Sequence, residues 1–232
     1  MNFSRAHKTY RENAIVQKNM AKKLVELILL NCGKTYQKIF EIGCGTGFLT
    51  ENLNNNLNFD KIVLNDLTQN YSGFDFEFIC GDVNLVDLPK KCDLIASNAV
   101  FQWIADIEKL FLKVGNSLAD NGILAFSSFG ERNFEQFKKV FNSGLNYPNY
   151  VEILKLNGWE ILTYEEEIVT LYFKSFREVL EHVKNTGVAL QNPIRWNKGL
   201  YLDFERNYLA NYSDGNGVEL TYHPVWIVAK PR

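Results

Sequence analysis

Glu41, Gly43, Gly45 and Gly47 alternate with other residues in the run Phe40-Glu41-Ile42-Gly43-Cys44-Gly45-Thr46-Gly47. Glycine turns the backbone tightly without a Cβ penalty and lets a ligand approach the main chain. Three of them between a strand-like run (Lys38–Ile42) and a helix-like one describe a loop suited to a nucleotide-like cofactor. The spacing narrows the chemistry. A dinucleotide fingerprint, G-x-G-x-x-G, seats a pyrophosphate at a helix N-terminus; here its sixth position is Phe48 and the third glycine comes one residue early. A carboxylate at Glu41, just before the first glycine, suits a cationic group better than a diphosphate. A tight strand-to-helix turn without a ligand has the same composition, so the triplet alone does not decide.

Downstream residues extend the pattern. An apolar run from Lys61 to Leu64 ends in Asn65-Asp66, and Asp66 follows Gly47 at about the 20-residue interval at which such folds place a carboxylate on ribose hydroxyls. A third run, Phe76 to Cys80, ends in Gly81-Asp82-Val83, where Asp82 by itself also reads as a turn residue. A fourth, Asp93 to Ser97, leads into Asn98-Ala99-Val100-Phe101-Gln102-Trp103, and a fifth, Ile123 to Ser127, into Ser128-Phe129-Gly130. Each suggestive segment sits at the carboxyl end of a predicted strand. Open parallel α/β sheets bind ligands in that crevice.

The elements that must position these residues follow from periodicity. An amphipathic helix over Asn13 to Asn31 precedes the first strand, and Asp106 to Leu118 reads as another, with Ile107, Leu110, Phe111, Val114 and Leu118 as its buried stripe. Strand followed by helix, repeated, means a parallel sheet covered on both faces. After Gly130 the rhythm changes: helices over Phe134–Phe141 and Tyr150–Asn157, a long strand over Trp159–Tyr172, helices over Phe176–Lys184 and Asn197–Tyr212, and a closing strand over Val218–Ala229.

With 232 residues and 46% hydrophobic composition, the chain can bury one substantial core. A net charge of −2 without a basic block gives nucleic acid no electrostatic footing. The apolar run Leu24–Leu30 is interrupted by Glu26 and is too short to span a bilayer, so no membrane association is expected. No charged leader with an apolar core and small-residue cleavage site appears, and Cys32, Cys44, Cys80 and Cys92 lack metal or disulfide spacing. Reduced thiols, no metal site and a cytoplasmic location are therefore expected.

The E-x-G-x-G-x-G form resembles motif I of class I S-adenosylmethionine-dependent methyltransferases, whose cofactor carries an amino group and a sulfonium but no phosphate. The resemblance implies a Rossmann-like α/β fold: a mostly parallel seven-stranded sheet with helices on both faces and a helical cap. Residues 1–232 would form a single domain, with 1–20, 130–150 and 174–212 as the lid. It implies S-adenosylmethionine as cofactor, held by Glu41, Gly43, Gly45 and Gly47, with Asp66 on the ribose and Asp82 and Val83 on the adenine. Asn98, after strand four, completes the set.

A narrower resemblance covers nearly the whole chain. Tyr10-x-x-x-Ala14-x-x-Gln17-x-x-Met20-Ala21, Asn98-Ala99-x-x-Gln102-Trp103, Phe126-Ser127-x-Phe129-Gly130, His182-x-Lys184-x-Thr186-Gly187 and Leu220-Thr221-Tyr222-His223 occur in order. The set is similar to BioC, the malonyl-acyl-carrier protein O-methyltransferases of biotin synthesis; between Gly187 and Val218 little matches beyond helix-forming character. The resemblance implies methylation of the free carboxyl of a malonyl thioester on acyl-carrier protein. Such a carboxyl, with a pKa of about 4, is ionised at pH 7 and needs no general base. What it needs is a clamp that holds an oxygen in line with the methyl group, roughly 3–3.5 Å away, and excludes water. The clamp candidates are Tyr10, His182, Lys184 and Arg195, with His223 behind them. His182 and Lys184 are two residues apart on a helix, so at most one points inward; His223 reads more readily as a satisfied structural histidine, and Gln102 and Trp103 follow strand four near the transferring methyl.

An acidic carrier protein would seek a basic patch. Lys18, Lys22 and Lys23, or Lys184, Arg195 and Lys198, can supply one. A monomer is compatible with the sequence but not fixed by it. Two alternatives stay open at this stage: another small-molecule methyltransferase acting on a dicarboxylic acid or quinone precursor, and a cofactor-binding partner protein without turnover.

Overall fold

Apolar strand segments that alternate with half-buried helices build a doubly covered sheet in the computed structural model, which describes residues 11, 13–68, 73, 75–141, 147–186 and 197–232. The chain divides into two compact units. The larger comprises Val16–Phe129, Pro148–Glu166 and Val225–Arg232; the smaller comprises the described residues of Met1–Ile15, Gly130–Tyr147 and Glu167–Pro224.

The first helix, α1 (Ile15–Cys32), leads into β1 (Thr35–Ile42), α2 (Phe48–Asn56), β2 (Asn58–Asp66), β3 (Glu77–Cys80) and β4 (Cys92–Asn98). A short 3₁₀ turn (Phe101–Trp103), α3 (Ile107–Gly115) and β5 (Leu118–Phe129) follow. With α5 (Tyr150–Leu156), β6 (Trp159–Glu166) and β10 (Pro224–Pro231) they complete a seven-stranded sheet in the order β3-β2-β1-β4-β5-β10-β6. The first five neighbours run parallel, and β10 runs antiparallel to β6. The sequence-based expectation of a Rossmann-like, mostly parallel seven-stranded sheet is met. Phe101, Phe111, Phe126, Tyr150 and Trp159 pack under β4 and β5 as a run of tilted and edge-to-face rings with centroids 4.6 to 6.3 Å apart, a favoured aromatic geometry.

The smaller unit contains α4 (Glu135–Phe141), β7 (Val169–Phe173), α6 (Phe176–Asn185), α7 (Lys198–Tyr212), β8 (Ser213–Asp214) and β9 (Gly217–Tyr222). Its strands pair antiparallel in the order β7-β9-β8, an element the sequence reading did not anticipate. Two expected long strands are accordingly split. Trp159–Tyr172 becomes β6 and β7, because Glu166 pairs with Val225 in the large sheet while Val169 pairs with Tyr222 in the small one. Val218–Ala229 becomes β9 and β10, broken at His223; Pro224 opens β10, a position where its missing N–H costs no ladder bond. The two breaks lie side by side, with the Glu167 amide donating to Pro224 O at 3.0 Å.

A third correction concerns Leu118. Expected in the buried stripe of a helix, it instead opens β5 opposite Cys92. The helix stops at Gly115, and the Ser117 hydroxyl donates to Lys113 O at 3.0 Å.

Candidate functional site

Strand β1 ends at Ile42, and residues 43–47 turn through three left-handed glycines, Gly43 (φ +69°), Gly45 (φ +53°) and Gly47 (φ +88°). A Cβ at Gly43 would lie 2.4 Å from a Val100 methyl, so that position is closed to any side chain. At Gly45 the nearest atom to a Cβ would be 4.0 Å away, so its missing side chain leaves open space. Asn65, almost fully buried beside the turn, holds it from the neighbouring strand: its carbonyl accepts from the amides of Gly43 (2.8 Å) and Cys44 (2.9 Å). Its side-chain Nδ2 donates to Ile79 O (2.8 Å) and Gly81 O (3.0 Å). One asparagine thus joins three strand ends.

Asp66 follows. Its Oδ2 accepts from the Gly45 amide at 2.9 Å and its Oδ1 from the Thr68 amide at 3.3 Å. A carboxylate offers about four lone-pair sites, so Asp66 retains capacity for further donors. The Gly81 amide donates to Asp66 O at 2.8 Å, which brings Asp82 into the same crevice. Asp82 Oδ1 accepts from Asn84 N at 2.8 Å while the side chain is exposed, and Val83 is buried. The Lys113 ammonium donates to Val83 O at 2.9 Å and also to Val86 O, fixing this loop from below.

Glu41 lies beneath the glycine turn, 1% exposed, with the Thr50 hydroxyl donating to Oε2 at 2.7 Å. Burial pushes its pKa up to about 8 against the lowering effect of Thr50, and the charge of Asp66 adds to the rise. The group therefore ionises readily only when a cation joins it.

The ends of β4 and β5 carry neutral polar side chains. Ser97 Oγ donates to Ile42 O at 2.9 Å, Ser127 Oγ to Asn98 Oδ1 at 2.6 Å, and Asn98 Nδ2 to Gln17 O at 3.1 Å. Gln102 Nε2 donates to Ala99 O at 2.7 Å, and Ser128 Oγ donates to Gln102 Oε1 at 3.0 Å beside the Tyr150 hydroxyl. Ala99 itself is left-handed (φ +55°), a strained state for a residue with a Cβ. Glu41, the three glycines, Asp66, Asp82, Val83 and Asn98 are thus brought together at the carboxyl ends of β1 to β4. A depression of about 410 Å³ at the amino ends, lined by Cys32, Tyr36, Asp60 and Asp93, lies at the opposite edge.

In the smaller unit His182 is buried, with Nε2 2.9 Å from the Tyr222 hydroxyl and its ring 5.0 Å from that of Phe173. Burial draws its pKa down, so it stays neutral at pH 7. Lys184 is exposed, as expected for two positions on different faces of α6. His223 Nδ1 accepts from the Arg132 amide at 3.1 Å, the structural role expected of it. Tyr10 and Arg195 lie outside the described residues. All four cysteines are free thiols, and among the described residues no cluster of three or more His, Cys, Asp or Glu side chains could hold a metal. No helix among them is long and apolar enough to cross a membrane.

Residues 40–126 match the methyltransferase domain family. Among solved structures, the N-methyltransferase NodS of Bradyrhizobium japonicum superimposes with a TM-score of 0.52 at 13% identity, over 91% of this chain and 94% of that one. The malonyl-acyl-carrier protein O-methyltransferase of Calditerrivibrio nitroreducens is 37% identical over 98% of this chain and 94% of its own length. That of Chlorobium phaeovibrioides is 36% identical over 99% and 94%. The chain belongs to the malonyl-acyl-carrier protein O-methyltransferase family.

For this O-methyltransferase, sequence reasoning missed the residues that hold the loops. Asn65 was visible only as the residue before Asp66, although a lone asparagine ending an apolar strand is a signal for backbone capping. Thr50 stands in the first turn of α2 and Lys113 in the last turn of α3; neither carries a local signature.

Proposed function

We propose that the protein transfers the methyl group of S-adenosylmethionine to the free carboxylate of malonyl-acyl-carrier protein, in the cytoplasm, giving the methyl ester that enters pimeloyl and biotin synthesis. Similarity to such enzymes over 98% of the chain is the observation that carries the reading. The donor set fits the cofactor. Open space at Gly45, spare acceptor capacity on Asp66, an exposed Asp82 carboxylate and a buried Glu41 suit a ribose, an adenine amino group and an ammonium. When bound, S-adenosylmethionine supplies a methyl group made electrophilic by its sulfonium.

The remaining work falls to the chain. Asp66 accepts from the ribose hydroxyls, Asp82 and the Val83 amide hold the adenine, and Glu41 offers a charge to the amino-acid end. The malonyl carboxylate arrives ionised, so the site needs orientation and dryness in place of a base. The neutral network of Asn98, Gln102, Ser127, Ser128 and Tyr150 is consistent with that requirement. Arg195 is the proposed cationic fork for the carboxylate, Tyr10 a second hydroxyl donor, and neutral His182 a support for the Tyr222 phenol. Of the basic residues available to an acidic carrier, Lys22 pairs with Glu26 at 3.8 Å and Lys23 with Glu165 at 2.8 Å. With Arg195 committed to the carboxylate, Lys184 and Lys198 of the cap are favoured for docking the carrier over Lys22 and Lys23.

Labelled methyl from S-adenosylmethionine should enter malonyl-acyl-carrier protein but not free malonate. Arg195→Ala should lower kcat/KM on the order of 100-fold, the scale of lost charge-assisted hydrogen bonds, with S-adenosylhomocysteine affinity changed less than about twofold. No transfer to any malonyl thioester would overturn the reading.

A further inference from the structure

Gln17 belongs to the Tyr10–Ala21 motif, and while its backbone carbonyl accepts from Asn98, its side-chain Oε1 has no hydrogen-bond partner among the described residues. It is 3% exposed on α1. Its surroundings are well fixed. Asn98 Nδ2 donates to Gln17 O at 3.1 Å, and Trp226 Nε1 donates to Met20 O at 2.9 Å, so the start of α1 is tied at two points. Asn98 continues Ser97, which is in register with Ile42 and donates to its carbonyl. Val100, two residues on, packs against Gly43. Gln17 therefore stands one residue from the glycine turn at the carboxyl end of β4.

A buried amide carbonyl left unpaired costs stability and calls for a reason. An acceptor without a donor among the described residues, beside a ligand crevice, is open to a donor that a ligand brings. In a sulfonium nucleoside with an amino-acid tail the donors are the ribose hydroxyls, the adenine amino group and the α-ammonium. Asp66 and Asp82 are placed for the first two. An ammonium carries three N–H bonds, more than one buried carboxylate at Glu41 satisfies.

We propose that Gln17 is a cofactor-binding residue whose side-chain carbonyl accepts a hydrogen bond from the α-ammonium of the methyl donor. This rests on the reading of residues 41–83 as the donor site. Its consequence is selectivity: Gln17 distinguishes ligands that carry the amino-acid tail from nucleosides that lack it.

Calorimetric titration of the full chain with S-adenosylhomocysteine and with 5′-methylthioadenosine, which has no amino-acid tail, tests it. Gln17→Met, close in shape but without the carbonyl, should weaken S-adenosylhomocysteine about tenfold, leave 5′-methylthioadenosine unchanged and raise the thermal midpoint of the free protein. Equal weakening of both ligands would mark Gln17 as structural and overturn the proposal, as would no change in either. If the wild type binds neither nucleoside, the donor-site reading falls first and Gln17 with it.

Discussion

The two units spend their polar side chains differently. In the larger unit Asn65, Asp66, Asn98 and Lys113 bond to backbone groups of neighbouring elements and loops, and the carboxylates of Asp66 and Asp82 keep acceptor capacity. In the smaller unit the buried polar side chains close on side-chain and backbone partners of the same unit. His182 meets Tyr222, Gln136 exchanges two bonds with Thr221 (2.7 and 3.0 Å), and Asn133 binds the Tyr147 hydroxyl at 2.6 Å and the His223 amide at 3.1 Å. The first arrangement leaves acceptors open at the strand ends. The second fixes a shape.

Removing Asp66 should break the contrast most severely. Asp66→Ala takes away the acceptor of the Gly45 amide and both proposed ribose bonds, so S-adenosylhomocysteine affinity should fall on the order of 100- to 1,000-fold by calorimetry, given about 1.5–3 kcal/mol per charge-assisted bond. Glu41→Gln gives a smaller effect with a pH signature. Because its carboxyl is raised from 4.5 to about 8, Glu41 contributes stability that is full below the unfolded value and is lost as pH rises through about 8. An ammonium partner favours the ionised form, so wild-type affinity should rise with pH up to about 8, with proton release on binding below it. The glutamine variant should show a flat pH profile, about tenfold weaker binding at pH 9 and a higher thermal midpoint there. An unchanged pH profile would remove Glu41 from the donor site. The least effect belongs to the smaller unit: Tyr222→Phe should cost about 1 kcal/mol of stability in chemical denaturation while donor affinity stays constant. A loss of donor affinity in that variant would dissolve the distinction between the units.

The same contrast explains what the sequence made legible. Strand ends, glycines and the Asp66 interval are set by local backbone rules, and the parallel sheet with its donor-side residues could be read from them directly. The split between β6 and β7 could not, since Glu167-Ile168 carries no glycine or proline and the Glu165–Glu167 run there is polar without marking a turn. Only the choice of partner, Val225 for Glu166 and Tyr222 for Val169, separates the strands. At β9 and β10 a signal did exist in Pro224, which suits a strand's first position better than its middle. Thr50 and Gln17 acquire meaning through neighbours 9 and 81 positions away, a distance at which spacing arguments have no purchase.

The adjacent breaks at Glu167 and Pro224 have a consequence for how such a chain can be rebuilt. Glu166 and Val225 are already opposite each other in the large sheet, so everything from 167 to 224 is an excursion inserted at the tip of an antiparallel hairpin. Two strand ends held face to face can be joined by a two-residue turn such as Asn-Gly. A hairpin closed in this way should leave the register of β6 and β10 unaltered, whereas Asn133 and Gln136, which bond to His223 and Thr221, would lose their partners.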